Sequence, residues 1–198
     1  MSLSLTPVYE LASGDFAPLS AALSPNDVQR FLHAVLAYGQ ADQIPKTPVQ
    51  LINALVSEAE LTRVLAGGLL IKSDAIVIEP SCCCGLEEWH FWFEALSDGP
   101  MPFFGHDPVI WTARERNCIL IHASLGNGDD RNPPFDTIRT SRMELAAALT
   151  RAESQLREAM HRVAAFAREH NPANEEQLMS NLDRWFGPVS VNLSAAER

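Results

Sequence analysis

The chain has 198 residues, of which 46% are apolar and 20% charged, with a formal net charge of −10. That balance excludes an intrinsically disordered protein and is enough for one domain with a real core. No run approaches the roughly 20 continuous apolar residues of a membrane-spanning helix, and a negative protein is repelled by nucleic acid and by anionic membrane alike, so neither is expected as a partner.

The opening Met1 to Pro7 has neither the basic nor the apolar segment of a secretion signal, which makes cytoplasm the expected compartment. Ser24-Pro25-Asn26-Asp27 then places an N-cap serine, a proline at the first helical position and an acid in the first turn ahead of Val28, Phe31, Leu32, Val35 and Leu36. This predicts an amphipathic helix ending near Gly39. Thr47-Pro48 starts a second helix through Val49, Ile52, Leu55 and Val56, and Gly67-Gly68 marks a break beyond it. Leu69–Ile71 and Ala75–Ile78 flank Lys72-Ser73-Asp74 as a hairpin, and Val109–Thr112 and Cys118–Ile121 flank Arg114 to Asn117 in the same way. Between the hairpins, Leu86, Trp89, Phe93 and Leu96 recur at three and four residues, one stripe of a helix that Gly99-Pro100 ends.

Ser124 to Asp136 is rich in Gly, Asn, Asp and Pro, lacks the acid spacing of a calcium loop, and reads as a solvated connection. Ser141-Arg142-Met143-Glu144 is a capping box. The helix it opens carries Leu145, Leu149, Ala152, Leu156, Ala159, Val163 and Phe166 in steps of four and three, with Glu153/Arg157 and Glu158/Arg162 pairs outside. A last helix runs from Asn174 through Leu178, Leu182 and Trp185 to Gly187-Pro188, completing a helical hairpin. The expected fold is therefore α+β: N-terminal helices, a small, mostly antiparallel sheet of about four strands, and a C-terminal helical hairpin. It forms one domain over 1–198, with helices and sheet in 1–123, a loop at 124–140 and the hairpin at 141–187. The seam along 145–166 packs either on the same chain, leaving a monomer, or on a second copy as a homodimer.

Function points to one window. From Ser73 to Ala113 the chain has seven acids, Asp74, Glu79, Glu87, Glu88, Glu94, Asp98 and Asp107, and no Lys or Arg. The same window holds Trp89, Trp92, Trp111, Phe91, Phe93, Phe103 and Phe104. By contrast, 131–168 carries seven Arg against four acids. Acids without local counter-charges steer a basic partner, and aromatics anchor it. Glu87, Glu88, Phe91, Trp92, Glu94 and Asp98 are the expected binding residues, on a helix with more aromatics than one face can bury.

Cys82-Cys83-Cys84 stands where a strand gives way to that helix, and a helix N-terminus lowers a thiol's pKa while Glu87 and Glu88 raise it. The alternative function is thus a thiol-dependent enzyme or redox protein centred on Cys82 to Cys84, with His90 or His106 as base. Inert packing is the plainer reading of these thiols. Contiguous cysteines do not favour disulfides, and the Asn192-Leu193-Ser194 sequon then has no glycosylation context. A zinc site would need Cys82 and Cys84 to converge with Cys118, His90, His106 or His122, and no knuckle spacing supports one. No glycine-rich phosphate cradle, nucleophile elbow or H-E-x-x-H pattern occurs, and neither cofactor nor metal is expected. Gly105-His106-Asp107-Pro108 reads as a turn into the second hairpin.

The run Glu79-Pro80-Ser81-Cys82-Cys83-Cys84-Gly85-Leu86-Glu87-Glu88-Trp89, followed by Trp92-Phe93 and Gly105-His106-Asp107, resembles a motif of small bacterial immunity-type proteins of polymorphic toxin systems. The resemblance implies an α+β, non-enzymatic protein that binds and occludes a cognate toxin.

Overall fold

The computed structural model describes residues 3–37, 45–57, 63–74, 76–81, 84–124 and 135–187. Eight strands form two antiparallel sheets of four. In the first, β1 (Ser4–Glu10), β2 (Phe16–Pro18), β3 (Gly67–Ser73) and β4 (Ile76–Ile78) lie in the order β2-β1-β3-β4. In the second, β5 (Phe103–His106), β6 (Val109–Glu115), β7 (Cys118–Ser124) and β8 (Asp136–Ser141) follow chain order. The class is α+β as expected, and the two expected hairpins are β3–β4 and β6–β7. They do not share one sheet: β1 and β2 complete the first, and β5 and β8 complete the second.

Strands β1 and β3 are the inner pair of the first sheet, and Leu5, Val8 and Tyr9 of β1 are buried. Pro7 interrupts its donors, yet Pro7 and Leu69 are register partners, and the Pro7 carbonyl, which points away from β3, accepts the Leu19 amide at 2.8 Å. Strand β2 pairs only Val8 to Glu10, so the missing N–H falls beyond its end and costs no ladder bond. Gly67 and Gly68 begin β3 instead of breaking the chain. At φ +146° Gly67 lies so close to β1 that a Cβ would run into the Val8 carbonyl oxygen. The loop expected at 124–140 likewise ends early, in β8. Ile138 and Thr140 alternate inward there, and Ile121 pairs with Ile138.

The helices are α1 (Pro25–Ala37), α2 (Pro48–Ser57), a 3₁₀ helix over Leu86–Leu96, α3 (Arg142–His170) and α4 (Glu175–Phe186), with a single 3₁₀ turn at Pro172–Asn174 before α4. The Ser141 hydroxyl accepts the Glu144 amide at 3.1 Å, and the Glu144 carboxylate accepts the Ser141 amide at 3.2 Å, closing the capping box. All seven seam positions of α3 are buried, against β1, α1, α4 and the 86–96 helix of the same chain. That packing consumes the face proposed for a homodimer. Glu153 and Arg157 pair at 2.7 Å, whereas Arg162 donates Nε to the Leu23 carbonyl at 3.3 Å. Buried Asn181 ties α4 to α2 by donating Nδ2 to the Leu55 carbonyl at 3.1 Å. Both sheets and all the helices contribute to one apolar core. Among the described residues no helix is long and apolar enough to cross a membrane.

Candidate interaction surface

The 86–96 segment is helical with three residues per turn. Glu88 donates its amide to the Gly85 carbonyl at 3.1 Å and Ser97 to Glu94 at 3.0 Å, both bonds three residues back. Side chains therefore form three straight rows. The inner row is Leu86, Trp89, Trp92 and Ala95, all buried. The middle row is Glu87, His90, Phe93 and Leu96, all half-buried. The outer row is Glu88, Phe91, Glu94 and Ser97, half-buried at its start and exposed from Glu94 on.

This geometry corrects the expected stripe of Leu86, Trp89, Phe93 and Leu96, which assumed 3.6 residues per turn. Trp92 takes the inward place given to Phe93, is 4% exposed, and stacks on Phe104 with ring centroids 3.7 Å apart and planes 7° from parallel. It is a core residue and cannot anchor a partner. Trp89 donates Nε1 to the Phe186 carbonyl at 3.0 Å, fastening the row to the end of α4.

Two of the four acids in the expected binding set are also engaged by groups of the same chain, Glu87 in a half-buried contact and Asp98 at the exposed surface. The Glu87 carboxylate accepts the Leu65 amide at 3.0 Å, and burial pushes its pKa up against the opposing pull of that bond. Asp98 is paired with Arg142, whose hydrogen bond holds the carboxyl below its usual range. Arg114 donates to the Gly99 carbonyl at 2.9 Å and also to the Ser97 carbonyl, closing the helix end. The window is thus not free of counter-charges in space. Sequence proximity could not reveal this, because Arg142 comes from α3. Glu88, Phe91 and Glu94 remain, one turn or about 6 Å apart, an aromatic ring between two carboxylates.

The thiol reading divides. Cys82 and Cys83 lie outside the described residues, as does the Asn192 sequon. Cys84 is half-buried beside Pro80, Trp92, Phe104 and Ile110, around a cavity of about 20 Å³. His90 is half-buried on the middle row with its ring edge-on to Phe91 at 4.6 Å, and His106 is exposed at the end of β5. The expected Gly105 to Pro108 turn is confined to Asp107-Pro108, with Gly105 and His106 in β5, and Asp107 donates its amide to Ser81 Oγ at 3.2 Å, so the turn does meet the flank of the thiol segment. Cys118 does not. It pairs with Glu115, five residues along β6 from the Ile110 that borders Cys84, about 17 Å away on strand geometry. His122 is held on the other face of the second sheet by Thr137 Oγ1 at 2.9 Å, with Trp111 stacked on it and Phe135 edge-on, both at 5.0 Å. Burial lowers its pKa. Among the described residues no three His, Cys, Asp or Glu side chains form a metal-ligand set.

No protein-family model, curated protein or solved structure matches the chain.

Proposed function

We propose that the protein is a binding module that engages a basic protein partner through the outer row of the 86–96 helix, and that it acts by occlusion, as an immunity-type inhibitor of a basic toxin would. The observation that carries this reading is the Glu88-Phe91-Glu94 row, in which one half-buried aromatic stands between carboxylates one helical turn away on either side. The carboxylates attract and orient a cationic surface, and the ring supplies rigid contact area at small entropic cost. A net charge of −10 adds long-range attraction for the same class of partner. The resemblance of the 79–107 segment to immunity-type proteins agrees with this mechanism.

The test compares proteins retained by the immobilised wild-type chain with those retained by Glu88→Lys/Glu94→Lys and by Phe91→Ala. A single basic protein, lost from both variants and released from the wild type as salt rises, supports the proposal. A partner whose affinity and salt dependence are unchanged in both variants sinks it. Glu87 is left alone, since reversing an internal tie would confuse unfolding with lost binding.

A further inference from the structure

A cavity of about 920 Å³ opens between α1 and the end of β1, within the size range of small-molecule sites. One wall is a single face of α1, where Asn26, the pair Gln29 and Arg30, the pair His33 and Ala34, and Ala37 recur one turn apart. The opposite face of α1 carries Val28, Phe31, Leu32, Val35 and Leu36 in the core, so the polar face is held rigidly at the cavity. The other wall is the end of β1 and the entry to β3, where Glu10 donates its amide to the Ala66 carbonyl at 2.8 Å.

The charges of this lining select a ligand. Arg30 is paired with Asp27. Burial lowers the pKa of His33, whose ring lies 3.5 Å from the Gln29 amide nitrogen. Among the described residues, Glu10 is the one charged lining group without an ion-pair partner, on a chain whose own field concentrates cations. Leu11, Ala12, Ala34, Leu65 and Ala66 make most of the remaining surface apolar and small.

We propose that this cleft binds a small organic molecule with an apolar body and one cationic amine, the amine meeting Glu10 and the body lying on the alanine and leucine surface. The side-chain amides of Asn26 and Gln29 supply hydrogen bonds for any further polar group. This site is independent of the Glu88-Phe91-Glu94 row, and the variants below leave that row intact.

Three matched probes test it: 2-phenylethylamine, 2-phenylethanol and 3-phenylpropionate, which share a ring and differ in charge. Saturation transfer from the protein should be strongest for the amine and weakest for the anion. Glu10→Gln should erase the amine's advantage over the alcohol, about fivefold for one exposed ion pair. Ala12→Trp should block the amine and the alcohol alike. Both positions are exposed, so the variants are expected to keep the wild-type circular dichroism. Amide shifts induced by the amine in the wild-type protein provide a readout that needs no variant, and they should concentrate on residues 26–37 and 9–12. Shifts elsewhere, absence of binding by all three probes, or a preference for the anion would overturn the proposal.

Discussion

The Glu87 carboxylate accepts the Leu65 amide at 3.0 Å while Leu86 donates its own amide to the Leu65 carbonyl at 2.9 Å, so two adjacent residues clasp the chain just before β3. Gly85 fits beneath this clasp because a Cβ there would meet the Glu87 carboxylate and the Leu65 carbonyl. Burial raises the Glu87 pKa above its unfolded value of about 4.3. Below that pH both states carry the proton. As pH rises, the unfolded chain ionises first, and the stability supplied by the protonated carboxyl is lost progressively until the folded pKa is passed. Glu87→Gln keeps an acceptor for the Leu65 amide and cannot ionise. Its urea midpoint should therefore gain on the wild type between pH 4 and pH 7, and a difference that is flat or shrinks with pH would contradict this account.

At the scale of elements, the three-residue period of the 86–96 helix has a direct energetic signature. Trp92→Ala removes a fully buried, stacked ring and should cost about 3–5 kcal/mol in chemical denaturation. Phe91→Ala, on the outer row, should cost less than about 1.5 kcal/mol. A helix with 3.6 residues per turn would make Phe93 the costlier loss, so the ranking of Trp92, Phe93 and Phe91 decides the period. This element also shows where sequence reading stops. Helix starts were legible at Ser24-Pro25 and Ser141-Glu144 because capping chemistry is local. Both internal hairpins were legible because each couples two short apolar runs through a turn, at Asp74 and Arg116, which adopt positive φ. Strand β1 escaped notice because its alternation is broken by Pro7, and β8 because its six residues follow a loop-like run. The three-residue period of the Leu86 segment sets Trp92 on Phe104 and Trp89 on the end of α4, contacts that no local pattern announces. Of the residues expected at the candidate surface, Glu88, Phe91 and Glu94 lie on one row of the helix, whereas Trp92 is buried on Phe104 and Glu87 and Asp98 are engaged by groups that no local pattern announces.

At the scale of the molecule, the α3 seam settles what its heptad-like spacing can mean. Knobs at three- and four-residue steps pack equally well on a second helix of another chain or on a sheet and helices of the same one. Here Leu149 is 0% and Leu156 4% exposed within a single chain, and Arg151 reaches across to donate to the Leu3 carbonyl at 3.1 Å. The apolar face is spent internally, so a truncation there creates a cavity in the chain's own core. Leu149→Ala should lower stability by about 2–5 kcal/mol. The mass measured by light scattering should be the same for variant and wild type, and the denaturation midpoint of each should not change with protein concentration. If the seam instead held two chains together, the variant would scatter as a smaller particle, and the wild-type midpoint would rise with concentration because association stabilises the folded state by mass action. The two measurements separate the cases even if Leu149→Ala proves too unstable to purify, since the concentration dependence is read on the wild-type protein alone.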